Sequence, residues 1–387
     1  MSTRREYLKV GVAGALGLVV GGAAGYFGTS AEREALKSEL ESLKREAGIK
    51  LEDEIAIYNW TYYINRNLVD AWAEENGIKL IYDYLESNSE IYAKLDTGAS
   101  GYDVMSCPAP DIPTYAERGL IEEVDMNKIP NFKHVPSAFK GFSWDPGDKY
   151  HVIWSYGTTG IGWNGEKVEP EITRWADVFE PERQLGKYSK KVSMMTDPTE
   201  TLGAALFYLG RDPNSVKDED LEEAKEVLIR QKPHLAKYAS TEEFMEGLKT
   251  ERFLISHAWN GDVAGTKYAS DERSVIMEVY FPQIRYTVPE EGAYAWYDNL
   301  VIPKGAKHRE AAHAFMNFTL DPRVAAINAM TIKYPYPTGT QYVPVELAKD
   351  PSIFTPEELL RKLVTYASFT PEERVKREEV WLEVQAA

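Results

Sequence analysis

The sequence predicts an α/β protein with two domains. Its 387 residues exceed the length of one typical core, and hydrophobic residues make up 43% of the chain, which is ample for burial. Short apolar runs at 54–59, 79–84 and 103–106 alternate with helical patterns at 64–76 and 89–98. Strands and helices that alternate with short turns between them predict a mainly parallel sheet.

The charge of the chain argues against nucleic acid as a partner. The formal net charge is −17, with 61 acidic residues against 44 basic ones. Nucleic-acid binding requires clustered Lys and Arg, whereas an acidic balance is compatible with a cationic ligand. An acidic surface also serves solubility, so this observation alone selects no ligand.

Residue types that carry common catalytic and metal chemistry are sparse. Cys107 is the single cysteine, which excludes an intramolecular disulfide and cysteine-rich zinc or iron–sulfur sites. The six histidines show no paired metal spacing, and no phosphate-binding glycine loop or GxSxG motif occurs. We therefore expect no metal and no cofactor, and we do not expect an enzyme.

The N-terminal segment predicts export. Arg4 and Arg5, followed by Tyr7, Leu8 and Lys9, resemble a twin-arginine signal, and residues 10–27 carry no charge. Residues 1–30 are thus expected to be a signal or a membrane anchor, with an uncleaved anchor favoured and the remainder of the chain outside the cytoplasm. Residues 31–52 are expected to form a charged helical spacer.

An aromatic residue and a carboxylate stand two apart near the end of the chain. Residues 289–305 begin with a turn and then alternate in the manner of a strand, so Trp296 and Asp298 are expected to project from one face. A ring beside a carboxylate suits an organic cation. The alternative is a core tryptophan with an aspartate that opens a turn.

Two further carboxylate motifs follow predicted strands. Asp197, Pro198 and Glu200 have the spacing of a capping box at the start of a helix. Trp259 and Asp262 follow an apolar run at 253–258, where an alternative reading is an Asn-Gly turn with Asp262 capping the next helix. Both motifs stand where ligands bind in parallel sheets, beyond the carboxyl ends of strands.

Several segments, in order, resemble the spermidine/putrescine-binding proteins, which are the extracytoplasmic receptors of polyamine ABC transporters. They include IYNWTYYI, YGTTGIGWN, TDPTETLGAALFYLG, AWNGDVA and EEGAYAWYDNLVIPKGA, and the resemblance extends from Ile55 to the C-terminus. It implies a two-lobed periplasmic-binding-protein fold, type II-like, with two crossover strands and a ligand cleft between the lobes. The expected lobes are 53–157 plus 298–345, and 158–297 plus 346–387 with a C-terminal helical tail.

The resemblance also implies the residues that bind the ligand. They are Trp60, Tyr63, Asp197, Glu200, Trp259, Asp262, Trp296, Asp298 and Tyr334. The sequence departs from the family pattern at 106–110, where two prolines stand in place of polar contacts. It departs again at Thr199, where an arginine is common, and at 365–366, where a relative has a polar amide.

Three local expectations accompany this assignment. Gly157, Gly160 and Gly162 are expected to break the first crossover strand at a bend. The segment 271–289 is longer than in the family, and its two apolar runs, 275–280 and 284–288, predict a β-hairpin. The tail is expected to be helical at 343–349, 356–364 and 372–384.

The predicted function is capture of putrescine or spermidine by hinge closure of the lobes, as a monomer, with delivery to an ABC permease. One alternative is the same fold with another solute, such as a thiamine-like cation or ferric iron held by Tyr334 and Tyr336. The other is a glycosidase that uses Asp197 with Glu200, or Asp262 with Asp298, as its carboxylate pair.

Overall fold

The computed structural model describes residues 51–61, 63–85, 88–96, 101–269, 279–355, 359 and 363–387. The predicted signal or anchor and nearly all of the predicted spacer lie outside these residues. Within the described part of the chain, no helix has the length and apolar character needed to span a membrane.

The described residues form thirteen strands and thirteen α-helices. The strands are β1 Glu54–Trp60, β2 Lys79–Leu85, β3 Val104–Pro108, β4 Ile121–Glu122, β5 Val152–Asn164, β6 Val192–Met195, β7 Leu235–Ala239, β8 Ile255–Trp259, β9 Tyr268–Ala269, β10 Val279–Tyr280, β11 Ile284–Thr287, β12 Ala293–Pro303 and β13 Leu363–Thr365. The helices are α1 Arg66–Asn76, α2 Asn88–Asp96, α3 Ile112–Glu117, α4 Ala176–Phe179, α5 Gln184–Lys187, α6 Pro198–Tyr208, α7 Asp218–Gln231, α8 Thr241–Lys249, α9 Asn260–Lys267, α10 Arg309–Thr319, α11 Pro322–Ile332, α12 Val345–Ala348 and α13 Pro371–Ala386. Strands and helices alternate as predicted.

The described chain divides into two compact units. Unit 1 contains the described residues up to Tyr156 together with Tyr297–Pro344, and unit 2 contains the remaining described residues from Gly157 onward. The chain passes from one unit to the other within β5, within β12 and after Pro344.

Unit 1 is built on a sheet with the order β2, β1, β3, β12. The first three strands are parallel, and residues 298–301 of β12 run antiparallel to β3. Helix α1 begins at Asn65, whose side chain caps the Leu68 amide, and ends at Gly77 in the left-handed conformation that favours glycine. These signals explain why the first strand–helix–strand pattern is readable in the sequence.

Unit 2 is built on a sheet with the order β11, β5, β8, β6, β7. Strands β6, β7 and β8 are parallel, whereas β5 runs antiparallel to β11 and β8. Helices α6 and α13 cover this sheet, and Trp381 of α13 lies in the same buried core as Leu202 of α6 and Ile255 of β8. The last helix is therefore part of the core of unit 2 and not an appendage.

The glycines of β5 do not interrupt the strand, so the predicted break at these glycines is wrong. Strand β5 is continuous over 13 residues. A Cβ atom on Gly157 would lie 2.1 Å from the ring of Trp296, and one on Gly160 would lie 2.4 Å from the Thr287 carbonyl oxygen. These glycines are needed because neighbouring groups approach the β5 backbone closely.

Two other local expectations need correction. In the described part of the runs expected to form a hairpin, β10 pairs with β9, and β11 pairs with β5. Residues 270–278 of the same segment lie outside the described residues. In the tail, β13 is a strand parallel to residues 293–295 of β12, where a helix was expected up to residue 364. Apolar runs do not reveal their partner strands, which is why both expectations fail.

Two glycines inside helices of unit 2 give a matched test of this packing. A Cβ on Gly203 of α6 would lie 2.2 Å from the ring of Tyr294, whereas one on Gly265 of α9 would meet only a Met245 methyl at 3.5 Å. We expect Gly203→Ala to destabilise the protein by about 1–3 kcal/mol through overpacking. We expect Gly265→Ala to stabilise it by up to about 1 kcal/mol through helix propensity. Urea unfolding measures both, and a neutral Gly203→Ala would contradict the close contact.

Candidate functional site

Asp298 of β12 is the centre of the candidate site in unit 1. Its residue pairs with Pro108 at the carboxyl end of β3, and the Tyr63 hydroxyl donates a hydrogen bond of 2.9 Å to Asp298 Oδ2. Tyr63 comes just after β1, and its ring centroid lies 5.6 Å from that of Tyr334 and 5.5 Å from that of Trp154. A carboxylate held by a phenol thus lies within an aromatic cluster beyond the strand ends.

The Asp298 carboxyl is poorly solvated and has no cationic partner within the described part of the chain. Burial raises its pKa to about 7, and the hydrogen bond from Tyr63 offsets only part of that increase. No lysine or arginine among the described residues forms an ion pair with it. A desolvated carboxylate without a counter-charge favours the arrival of a cation.

Trp60 is the last residue of β1. It packs against the apolar cluster that contains Tyr58, Met105 and Cys107. Its indole nitrogen Nε1 is buried and has no hydrogen-bond partner among the described residues. No described hydrogen bond or ring pair joins Trp60 to Tyr63 or Asp298, whereas Tyr63 contacts both Asp298 and Tyr334.

Glu200 of α6 is the centre of the candidate site in unit 2, and it forms only half of the predicted capping box. Asp197 caps the helix by accepting a 2.9 Å hydrogen bond from the Glu200 amide. The Glu200 side chain does not return to the Asp197 backbone as a capping box requires. It turns instead toward side chains of β5, β8 and the tail.

One oxygen of Glu200 collects three hydrogen bonds from residues distant in the sequence. Thr159 Oγ1 lies 2.8 Å from Oε1, and Trp259 Nε1 lies 2.7 Å from it. The Tyr366 hydroxyl donates to the same oxygen. The other oxygen, Oε2, is buried and has no hydrogen-bond partner within the described part of the chain. The carboxylate is thus fixed through one oxygen only, among the described residues.

The charge on Glu200 is unfavourable in the protein alone. Burial raises the pKa of its carboxyl to about 7, with a further contribution from the nearby Asp197 carboxylate. The three hydrogen bonds act in the opposite direction, and that from Tyr366 is the largest of them. As with Asp298, no described lysine or arginine pairs with this carboxylate.

A buried arginine from the tail lies near the start of α6. Arg377 of α13 donates to the Ser215 carbonyl at 2.8 Å and, at 3.5 Å, to that of Thr199. Burial raises the pKa of Asp197, while its bonds to backbone amides and the charge of Arg377 lower it. Arg377 therefore supplies near Asp197 a positive charge that the sequence lacks at position 199.

The other expected residues of unit 2 lie around the start of α9. Trp259 directly precedes this helix, and Asp262 is its third residue and not its cap, so the capping alternative is wrong. The ring of Trp296 packs over Gly157. Asn260, fully buried, accepts a 2.9 Å hydrogen bond from the Thr158 amide, which fixes the start of α9 to β5. No described hydrogen bond or ion pair joins Asp262 to Glu200.

Sequence reasoning missed Thr159 and underestimated Tyr366. Both reach Glu200 from other elements, 41 and 166 residues away along the chain. Thr159 stands in a strand pattern that gives no sign of a polar role. The departure noted at 365–366 was the one available signal for Tyr366.

Two features bear on the alternative solutes. Tyr336 is buried, and its hydroxyl donates to the Tyr63 carbonyl at 3.4 Å, so it is poorly placed to bind iron. The described residues contain no group of three or more His, Cys, Asp or Glu that could hold a metal ion.

The fold, together with a carboxylate site beyond the strand ends of each unit, is that of a solute receptor. The family model for bacterial extracellular solute-binding proteins matches residues 67–355. The chain therefore belongs to the bacterial extracellular solute-binding proteins, a family of receptors and not of enzymes.

Individual relatives narrow the resemblance. The chain is 29% identical to the putrescine-binding periplasmic protein SpuD of Pseudomonas aeruginosa over 85% of this chain and 91% of that protein. It is 31% identical to the spermidine/putrescine-binding periplasmic protein of Salmonella typhimurium, over 80% and 85% respectively. Its structure resembles the spermidine/putrescine ABC transporter substrate-binding protein PotD of Streptococcus pneumoniae, with a TM-score of 0.73, 28% identity, and coverage of 87% and 99%.

The unfavourable charge of Glu200 predicts a pH-dependent gain in stability when it is neutralised. Because the folded-state pKa lies above the ordinary value, protonated Glu200 stabilises the fold at low pH, and this contribution is lost as the pH rises through about 7. Glu200→Gln, which keeps an acceptor for the three donors, should gain about 2 kcal/mol relative to the parent between pH 5 and pH 8.

Urea unfolding of the ligand-free protein at both pH values measures this gain. Glu226→Gln, on the exposed face of α7, is the control and should change by less than about 0.5 kcal/mol. An equal effect of Glu200→Gln at pH 5 and pH 8 would contradict the assigned charge cost.

Proposed function

We propose that the protein is an extracytoplasmic receptor that binds a polyamine, putrescine or spermidine, and delivers it to an ABC permease. One observation carries the proposal: each unit contains a desolvated carboxylate, Asp298 or Glu200, with no cationic partner among the residues that the structure describes. A ligand with two or more ammonium groups joined by methylenes matches such a pair of sites. The relatives named above as binders of putrescine or spermidine support this ligand class.

The expected interactions differ between the two units. In unit 1 an ammonium group pairs with Asp298, and the rings of Tyr63 and Tyr334 face the adjacent methylenes or the ammonium itself. In unit 2 an ammonium group donates to Glu200 Oε2, and the rings of Trp259 and Trp296 flank the methylenes of the ligand. Asp197, Asp262 and Trp60 stay in the proposed set as supporting residues.

A ligand screen by thermal shift tests the proposal directly. A ligand at a hundredfold excess over its Kd should add about 2.7 kcal/mol of stability. Putrescine and spermidine are expected to raise Tm, whereas thiamine, ferric citrate and chromogenic glycosides are the comparison set. A shift with thiamine or ferric citrate alone would replace the proposed ligand class.

The location of the protein is part of the proposal. The twin-arginine-type segment and the apolar run of residues 10–27 favour export with a retained membrane anchor. Mass spectrometry of the native protein determines its first residue. A mature N-terminus beyond Gly28 would replace the anchor with a cleaved signal.

The central carboxylate of unit 1 should matter more than Trp60, an aromatic residue of the same unit that is expected to contact the ligand. Asp298→Asn leaves a desolvated ammonium group without its partner, which costs roughly 3–5 kcal/mol, whereas one ring contributes about 0.5–2 kcal/mol. We therefore expect Asp298→Asn to weaken binding more than Trp60→Ala by at least about tenfold, or roughly 1.4 kcal/mol.

Calorimetric titration with spermidine and putrescine makes this comparison. Asp70→Asn is the control for loss of an aspartate, since Asp70 lies exposed on α1 in an ion pair with Arg66. Equal losses for the two site variants would show that Asp298 is not the central carboxylate.

Binding should weaken as the pH falls. Both carboxyls have pKa values of about 7, and a cationic ligand favours their ionised forms, so protons must leave when the ligand binds at low pH. Each group should weaken binding about tenfold between pH 8 and pH 6, giving up to about a hundredfold in total. Titrations at pH 6 in two buffers of different ionisation enthalpy count the released protons. A Kd that does not change between pH 8 and pH 6 would contradict the assignment of Asp298 and Glu200 as the carboxylates that bind the ligand.

A further inference from the structure

The tail of the chain contributes a polar side chain to the candidate site in unit 2. Strand β13 pairs in parallel with residues 293–295 of β12, and Tyr366 follows β13 directly. The Tyr366 ring packs on that of Tyr294, with centroids 4.5 Å apart. This anchoring fixes the ring independently of its hydroxyl, which reaches Glu200 Oε1.

Tyr294 is itself held firmly. Its hydroxyl donates to the Pro213 carbonyl at 2.6 Å, its ring lies edge-on to that of Phe207, and it is buried. The Tyr366 hydroxyl is therefore placed by a rigid aromatic pair and not by a mobile loop. Its donation to Oε1 leaves Oε2 as the oxygen of Glu200 without a partner in the described chain.

Building on the proposed function, we propose that Tyr366 is a positioning residue for polyamine binding: it holds the Glu200 carboxylate in its ionised form and directs Oε2 to the ligand ammonium, without contacting the ligand itself. Three donors saturate Oε1 in this arrangement. Tyr366 is the only hydroxyl-bearing aromatic of the three, and it comes from the tail.

The titratable groups around Glu200 determine how its pKa responds to loss of the Tyr366 hydroxyl. Asp197 on its own helix opposes the negative charge. The phenols of Tyr286, Tyr294 and Tyr366 face it from β11, β12 and the tail, and the pKa of each is raised, so all are neutral at physiological pH. Loss of the Tyr366 hydroxyl should therefore raise the pKa of Glu200, because no other described group is placed to substitute for it.

This role predicts a loss of affinity that depends on pH. In Tyr366→Phe the stacked ring remains and only the donated hydrogen bond is lost. At pH 6 Glu200 is already largely protonated, and Tyr366→Phe removes a hydrogen bond that favours its ionised form. The variant should therefore bind spermidine at least about tenfold more weakly than the parent at this pH. At pH 8.5 Glu200 is more fully ionised, and the loss should shrink to less than about threefold. The ratio of variant to parent cancels the contribution of Asp298.

The matched control is Tyr208→Phe. Tyr208 also lies in unit 2 and also donates to a carboxylate, Glu180 Oε1, at 3.2 Å, but it has no contact with Glu200. Tyr208→Phe should leave unchanged both the Kd for spermidine and the dependence of that Kd on pH. Urea unfolding of both variants excludes a general loss of structure as the cause.

The outcomes of these titrations are distinguishable. A loss confined to low pH supports the positioning role. A loss of equal size at pH 6 and pH 8.5 overturns it in favour of direct contact between Tyr366 and the ligand, and no loss at either pH overturns it altogether. If the parent protein binds neither putrescine nor spermidine at any pH, the proposed function fails, independently of Tyr366.

Discussion

The desolvation of two carboxylates is the constraint on which the candidate sites depend. Asp298 and Glu200 each lie where burial opposes their charge, and among the described residues each is stabilised by neutral donors and not by a cation. A lysine or arginine in the same place would stabilise the fold and would also occupy the position that a cationic ligand needs. Phenol, indole and hydroxyl donors keep each carboxylate oriented while leaving its charge uncompensated.

The two buried carboxylates are held by different numbers of hydrogen-bond donors. Asp298 depends on one phenol, which is itself held by an aromatic cluster. Glu200 depends on three donors that come from β5, β8 and the tail. Glu200 is nearly fully buried and Asp298 only partly so, which is consistent with the greater number of hydrogen bonds at Glu200.

The fold class could be predicted from the sequence because its signals are local. Apolar runs mark the strands, Gly77 ends α1, and Asp197 with Pro198 begins α6. The incomplete capping box at the start of α6 shows what such local signals do not predict. Asp197 behaves as its spacing predicts, but the direction of the Glu200 side chain is set by Thr159, Trp259 and Tyr366, which no local pattern connects to it. The pairing of β11 with β5 and of β13 with β12 could not be predicted from local patterns either, because tertiary packing determines which strands pair.

The placement of Tyr366, Arg377 and Trp381 has a consequence for the order in which the molecule matures. The donor to Glu200, the charge near Asp197 and a large side chain of the unit 2 core all come from the final quarter of the second unit's sequence. During synthesis, Glu200 is made more than 160 residues before Tyr366. The ribosome must therefore synthesise nearly the whole chain before Tyr366 can donate to this carboxylate, so a nascent chain that ends before β13 lacks one of the three donors to Glu200 Oε1.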